Sequence, residues 1–132
     1  MKNLFSHKVL FLLLFSTLLL TSCNSDDDSP VSSNTSKKVV FKAVTSSDAN
    51  VGMVVYGYDT SLTTASSLSG TTWNSSEIVV PANAYVASIV MNGVGASASS
   101  TLKVQIYVDG VLKKEATSTG KALSATVQYN LQ

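Results

Sequence analysis

Side chains that could do acid–base or nucleophilic chemistry are few in this chain and unevenly placed. The only histidine is His7, the only cysteine is Cys23, and arginine is absent from the sequence. Downstream of Cys23 the chain therefore cannot assemble a Ser-His-Asp or Cys-His catalytic group. It also lacks the His and Cys ligands of a zinc site. The sequence predicts a protein without enzymatic activity and without a metal or other cofactor.

Five carboxylates outside the N-terminal region could still form an acid–base pair of the glycosidase type. They are Asp48, Asp59, Glu77, Asp109 and Glu115. Asp109 precedes a glycine, which is typical of a turn residue. Glu115 follows two lysines on a predicted exposed strand, where charged residues are usual. We therefore favour structural roles for these carboxylates over catalysis.

Ser118-Thr119-Gly120-Lys121 matches Ser-x-x-Lys, a motif of serine acyl enzymes. In those enzymes the motif opens a helix and needs companion motifs elsewhere in the chain. Here it falls between two predicted strands, so we expect it to form the turn of a hairpin. A phosphate loop is excluded because Ala122 replaces the required Ser or Thr, and no glycine-rich loop precedes it.

The cysteine ends the tetrapeptide Leu20-Thr21-Ser22-Cys23, which follows an apolar run over residues 9–20. With Lys2 and Lys8 before that run, these are the parts of a secretory signal peptide. The run is short for a spanning helix, which needs about 20 apolar residues. The tetrapeptide resembles the lipobox, where bacterial lipoproteins are lipidated on cysteine and cut just before it. The sequence predicts a signal peptide over residues 1–22, an uncleaved anchor or buried helix being the alternative.

Lipidation would also account for a single cysteine in an exported chain, since one cysteine cannot form an internal disulfide. Each buried methylene contributes about 0.8 kcal/mol, and one acyl chain alone holds a protein only marginally. Lipoproteins of this type resemble one another in carrying two or three acyl chains, palmitate among them, which makes attachment effectively permanent. The membrane is thus a predicted partner through Cys23. The alternative is an unpaired reactive thiol, which an oxidising compartment disfavours.

The residues after the cysteine bear on where the protein is sorted. Asn24 in place of aspartate resembles outer-membrane rather than inner-membrane lipoproteins. Ser25-Asp26-Asp27-Asp28 resembles the acidic tract that sends some Gram-negative lipoproteins to the outer cell surface. The alternative is that three aspartates keep a linker solvated, which would leave the protein facing the periplasm. We expect an outer-membrane lipoprotein on the cell surface.

Charge and composition define the rest of the chain. Once residues 1–22 are removed, seven lysines face eight acidic residues. A near-neutral chain without arginine is a poor nucleic-acid binder. The polar, non-alternating stretch over residues 23–37 predicts a flexible lipidated linker spanning roughly 20 Å. Residues 38–132 are rich in Ser, Thr, Val and Ala, which favours one small β domain.

Period-two alternation runs through this domain and indicates no helix. Val39, Phe41 and Ala43 share one face of the first predicted strand, and Tyr85 shares one face of the fourth with Ala87, Ile89 and Met91. Seven short strands favour an immunoglobulin-like two-sheet sandwich, a small barrel being the alternative. Asp109-Gly110 predicts a tight hairpin, and residues 59–70 and 92–100 predict loops. The predicted strands are 39–44, 51–58, 71–80, 85–91, 102–108, 111–117 and 122–131.

Aromatic residues give the main indication of binding. Tyr107 lies on the polar face of its strand, and Tyr56 and Tyr58 share one face of theirs. Tyrosines on a flat sheet can stack on sugars or anchor a partner protein. These three are the candidate ligand contacts, with cross-strand packing as the alternative. Trp73 is expected to be a core residue.

Several of these segments together resemble the MmpS family of transport-accessory proteins. The resemblance covers residues 71–132 and includes Trp73, the strand end 79–84, the strand and turn 104–110, and the turn 118–120. It implies a small β-sandwich and a role beside a large MmpL/RND-type lipid exporter. Many family members carry a cysteine pair where this chain has Val104 and Val127, and they usually have a spanning helix instead of a lipid.

These observations predict a lipid-anchored binding and interaction module of the cell envelope, without catalytic activity. Its partner would be an envelope protein or a glycan. The alternative, which the family resemblance implies, is an accessory protein of an envelope transport complex.

Overall fold

The computed structural model describes residues 35–132, which form nine β-strands and no helix. The predicted all-β two-sheet sandwich is confirmed, with nine strands in place of seven. The predicted signal peptide, Cys23, the acidic tract and residues 23–34 of the linker lie outside the described residues. The strands are β1 Lys37–Thr45, β2 Ala49–Tyr58, β3 Ser61–Ala65, β4 Thr72–Asn74, β5 Ile78–Val80, β6 Val86–Gly95, β7 Thr101–Val108, β8 Val111–Thr119 and β9 Ala122–Asn130.

The strands form two antiparallel sheets. Sheet 1 has the order β4-β1-β7-β8, and β5 pairs with β1 beside β4. Sheet 2 has the order β3-β2-β6-β9. β2 is therefore an inner strand, as its apolar residues on both faces predict. β4, β5 and β8 lie at the edges of sheet 1, and β3 and β9 lie at the edges of sheet 2.

The core lies between the two sheets and follows the predicted alternation. Val39, Phe41 and Ala43 of β1 are buried. Side chains alternate between the faces of a strand, so one face of each strand fills the core and the other faces solvent. The other buried hydrophobic side chains on the strands are Ala49, Val51, Val54, Val80, Ala87, Ile89, Met91, Leu102, Val104, Ile106, Val108, Leu123, Ala125 and Val127.

The predicted loop over residues 59–70 is wrong in part, because it contains β3. This strand pairs with β2 from Val54↔Ala65 to Tyr58↔Ser61. Four of its five side chains are exposed, so its sequence shows no apolar alternation. Backbone ladder bonds hold β3 in place, and these leave no pattern in side-chain types.

The predicted strand over residues 71–80 is two short strands. Ser75 lies between them, where its N–H donates to the Phe41 carbonyl at 2.9 Å and its hydroxyl accepts from the Phe41 N–H at 3.0 Å. The side chain thus replaces a backbone carbonyl and interrupts the regular ladder. As expected, the second strand ends at Val80, directly before Pro81.

The fourth predicted strand begins and ends differently from the expectation. β6 starts at Val86, and Tyr85 is exposed, whereas Ala87, Ile89 and Met91, which are expected to share its face, are buried. The Tyr85 N–H donates to the Asp59 carboxylate at 3.0 Å, and its carbonyl accepts from the Leu131 N–H at 2.7 Å. Ala84 and Leu131 fill this end of the core instead. The strand continues to Gly95, so the predicted loop over residues 92–100 is shorter than expected.

The two predicted turns near the C-terminus differ in outcome. Asp109 and Gly110 have φ values of 50° and 80° and join β7 to β8 in the predicted hairpin. Residues 118–120 do not form a hairpin, because β9 pairs with β6 in the other sheet. The Gly120 N–H donates to the Ser100 carbonyl at 2.8 Å, and the Gly95 N–H donates to the Lys121 carbonyl at 2.8 Å. These bonds direct the chain into sheet 2.

Candidate interaction surface

The tyrosines proposed as ligand contacts do not share one surface. Tyr56 and Tyr58 are half-buried and pack against the core from sheet 2. The Tyr56 ring lies 5.5 Å from Phe41 and 4.9 Å from Trp73 between ring centroids. Edge-to-face aromatic contacts at such distances stabilise a core beyond the area that they bury. This geometry favours packing for Tyr56, and Trp73 packs against the core as expected.

Tyr107 lies on the outer face of sheet 1, away from the other two tyrosines. It pairs with Val40 across the β1–β7 ladder. The Lys42 ammonium group lies 4.6 Å from the centroid of its ring, which is within the range of a cation–π contact. The ring is half-buried, so only part of it is open to a ligand.

Asp48 is the most extensively hydrogen-bonded carboxylate of the described residues. It accepts from the hydroxyls of Ser46 at 2.5 Å, Ser97 at 2.9 Å and Ser100 at 2.6 Å. Hydrogen bonds to an ionised carboxylate favour its charged form. Ser100, then Ser46 and Ser97, lower the pKa of Asp48 from 3.8 to about 2. The cluster joins the β1–β2 turn to the β6–β7 connection, so we assign it a structural role.

The other four carboxylates also have structural partners. Asp59 accepts from the N–H groups of Tyr85 and Val86. The Asp109 carboxylate accepts from the Lys38 N–H at 2.9 Å, and Glu77 forms an ion pair with Lys38 at 3.1 Å. A hydrogen bond from Gln105, followed by the charge of Lys103, lowers the pKa of Glu115.

The Ser-x-x-Lys motif spans the end of β8 and the connection to β9. The Ser118 hydroxyl accepts from the Ser124 N–H at 3.1 Å. Lys121 is exposed in the connection. The motif therefore does not open a helix, which is the setting that its chemistry requires.

Sheet 2 carries no charge on any of its strands. β2, β3, β6 and β9 together contain 34 residues without an Asp, Glu, Lys, Arg or His. The strands of sheet 1 carry six lysines and one glutamate. The remaining charged residues from 35 to 132 lie in the connections between strands. The sandwich therefore has one charged sheet and one neutral sheet.

The outward side chains of sheet 2 form cross-strand rows of small polar and apolar residues. The central row runs Thr64, Val55, Val90 and Thr126, from edge to edge. Exposed apolar residues recur across the other rows, and the charged side chains that are common among exposed residues are missing. We call this surface the neutral face. Its outward residues are Asn50, Met53, Val55, Leu62, Thr64, Val86, Ser88, Val90, Asn92, Val94, Ala122, Ser124, Thr126, Gln128 and Asn130.

The outer face of sheet 1 is different in character. The Lys38–Glu77 pair lies at its β5 edge, and Lys103 and Glu115 pair at 3.6 Å between β7 and β8. Exposed ion pairs of this kind contribute little to stability, but they keep a surface hydrated. This face therefore has the composition of a surface that stays in water.

The neutral face could not be found from the sequence by looking for aromatic residues, since none of its outward residues is aromatic. Its signal is the absence of charge from four strand segments. That absence becomes a surface only when β2, β3, β6 and β9 are assigned to one sheet. The sequence mixes these segments with the lysine-bearing strands, so the separation appears only in the fold.

Among residues 35–132, no three His, Cys, Asp or Glu side chains come together closely enough to hold a metal ion. The same part of the chain contains no helix long and apolar enough to cross a bilayer. No protein-family model matches the chain, and no curated protein matches it significantly.

Proposed function

We propose that this chain is a non-catalytic protein-binding module of the bacterial cell envelope, and that it binds its partner through the neutral face. The predicted lipid on Cys23 holds it to the outer membrane, and Ser25, Asp26, Asp27 and Asp28 direct it to the cell surface. The observation that carries the binding proposal is the absence of charge from the four strands of sheet 2.

Charge depletion is informative because the core of a protein–protein interface excludes water. A charged group loses its hydration there and needs a partner of opposite charge. The cores of interfaces are accordingly poor in Lys, Glu and Asp. The central row of the neutral face needs no partner of opposite charge, since Val55, Val90 and Thr126 are uncharged. Further exposed apolar surface comes from Met53 and Leu62. A partner with an equally neutral surface fits this face best.

The size of the face indicates how tight such binding can be. Four strands about 4.8 Å apart and roughly 30 Å long cover about 500 Å². A stable interface buries about 800 Å² on each partner. The neutral face alone therefore supports a transient contact, and a lipid anchor that confines the module beside its partner would raise the effective concentration.

Site-specific photo-crosslinking of the full chain in intact cells tests this proposal. Val90 and Val44 are matched, since both are strand valines on outer faces and are 36% and 46% exposed. A photoreactive residue at position 90, in the neutral face, is expected to give a discrete protein adduct. The same residue at position 44, in sheet 1, is the control and is expected to give none.

The adduct should be lost when Val94→Glu places a charge on the same face, whereas Val79→Glu on sheet 1 should leave it intact. Both valines are highly exposed, so neither change should unfold the domain. Equal adducts from positions 90 and 44, or none from position 90, would reject the proposal. Retention of the chain on a neutral polysaccharide without any protein adduct would replace the protein partner by a glycan.

A further inference from the structure

The four edges of the sandwich are not protected alike. β3 has five residues, and β4 and β5 have three each, so these edges offer little ladder. β8 has nine residues, but Lys113 and Lys114 lie on it, and its pairing with β7 shifts register there. Short strands, lysines and bulges are the devices by which natural sheets block edge-to-edge pairing.

β9 has none of these devices. It is nine residues long and contains no lysine, proline or other charged residue. Its register with β6 is uninterrupted from Val86↔Asn130 to Val94↔Ala122. β9 is thus a long, regular and uncharged edge.

The direction of the free backbone groups follows from two hydrogen bonds at the ends of the β6–β9 ladder. The Leu131 N–H donates to Tyr85, and the Lys121 carbonyl accepts from Gly95. Since these groups alternate along a strand, the odd-numbered residues of β9 bond to β6. The N–H and C=O groups of the even-numbered residues lie in the plane of the sheet and point away from β6, towards the open edge.

Some of the backbone groups along this edge of β9 have hydrogen-bond partners, and others have none. The Ser118 hydroxyl accepts from the Ser124 N–H at 3.1 Å. The outward backbone groups of Thr126, Gln128 and Asn130 have no partner among the described residues. The backbone groups of these three residues can therefore pair with a further strand and extend sheet 2.

We propose that β9 pairs antiparallel with β9 of a second copy of this chain, about a two-fold axis at Gln128. This register places Gln128 opposite Gln128 of the second copy, and Thr126 opposite Asn130 of the second copy. All three residues direct their backbone groups outward, so each facing pair exchanges two N–H···O bonds. The result is one continuous eight-stranded sheet.

A second copy fits this edge because the pairing is symmetric and places no like charges opposite each other. Gln128, Thr126 and Asn130 are neutral, and identical surfaces meet across a two-fold axis without further adaptation. β8 lies on the same side of the sandwich, where its lysines oppose pairing of the two β8 strands. Contact is thereby confined to sheet 2, and salt should strengthen the dimer by screening these lysines.

Cysteine crosslinking of the full chain in cells tests the pairing. Gln128→Cys places a thiol on the proposed two-fold axis, within disulfide reach of its copy. Mild oxidation should give a band at twice the monomer mass that disappears under reduction. Thr64→Cys is the matched control, since it lies on the same face at the opposite edge of sheet 2, and it should remain monomeric.

Light scattering on the detergent-solubilised full chain provides the second measurement. The natural chain should be dimeric, and Gln128→Lys should weaken the dimer about fivefold because it places like charges opposite each other. Thr64→Lys should leave the dimer unchanged. Equal crosslinking from both cysteines, or no crosslinking between two copies of the Gln128→Cys chain, would overturn the proposal. Absence of the Val90 adduct alone would leave the pairing of β9 standing, because that adduct tests a partner over the centre of the neutral face and not contact between two β9 edges.

Discussion

At the scale of single residues, serine hydroxyls add to the backbone hydrogen bonds that join the β1–β2 turn to the β6–β7 connection. Ser46, Ser97 and Ser100 all donate to the Asp48 carboxylate. Ser100 is the one buried polar residue among those described, and its hydroxyl also accepts from the Ser97 N–H at 3.0 Å. Gly95 allows this packing, because a Cβ there would lie 2.4 Å from the Ser100 Cβ. The serine-rich connection between β6 and β7, predicted as a loop, is thus part of an ordered hydrogen-bond network.

The Asp48 cluster predicts a specific pH dependence. The folded pKa of Asp48 is lowered from 3.8 to about 2, so its ionised form stabilises the fold above pH 3.8. That contribution is lost as the pH falls towards 2. Asp48→Asn should therefore be less stable than the natural chain at neutral pH, and the difference should shrink between pH 4 and pH 2. Urea unfolding at a series of pH values measures it.

Ser100→Ala is the matching variant for this experiment, because it removes the hydrogen bond with the largest effect on the pKa of Asp48. Like Asp48→Asn, it should make the free energy of unfolding less dependent on pH between pH 4 and pH 2. A constant gap between Asp48→Asn and the natural chain from pH 7 to pH 2 would contradict the role of the ionised carboxylate.

At the scale of strands and turns, the β7–β8 hairpin also organises the start of β1. Asp109 has a φ of 50°, and its carboxylate accepts from the Lys38 N–H. Its own N–H donates to the Lys38 carbonyl at 2.7 Å. Asp109 thus stabilises both the turn between β7 and β8 and the first residues of β1.

Substitution of Asp109 should separate these two contributions. Asp109→Ala places a Cβ-bearing residue with no side-chain acceptor at positive φ and should lower the free energy of unfolding by about 1–2 kcal/mol. Asp109→Asn tolerates positive φ and keeps an acceptor oxygen, so it should stay within about 0.5 kcal/mol of the natural chain. Urea unfolding compares the two variants. If both lose the same free energy of unfolding, the hydrogen bond to Lys38 contributes little to stability.

The elements that could be predicted from the sequence are those whose inward residues alternate cleanly. β7, with Leu102, Val104 and Ile106, is the clearest case. β3 could not be predicted because its exposed side chains carry no pattern. Tyr85 does not share the buried face of Ala87, because its backbone bonds with Asp59 and Leu131 end the alternation. The neutral face could not be predicted, since it depends on which strands share a sheet.

At the scale of the whole molecule, the location of the domain determines which partners it can reach. We propose that a lipid on Cys23 and the acidic tract Asp26-Asp27-Asp28 hold it at the cell surface. Proteinase K added to intact cells should then remove the domain, as detected by immunoblotting for residues 38–132. Cleavage in the linker alone would release the whole sandwich.

Replacement of Asp26, Asp27 and Asp28 by alanine provides the control for export. This variant should be protected in intact cells and digested once the outer membrane is permeabilised. Protection of the natural chain would contradict surface exposure and place the domain in the periplasm. The transport-accessory alternative would then be tested by crosslinking to an exporter.

The separation of charge between the sheets makes one side of the domain positively charged and the other side neutral. The strands of sheet 1 carry six lysines and one glutamate, and those of sheet 2 carry no charge. An anionic membrane surface attracts lysines within a Debye length, roughly 8 Å at physiological salt. If the proposed lipid tethers the domain close to such a surface, the lysines of sheet 1 should turn towards the headgroups. The neutral face should then point away from the membrane.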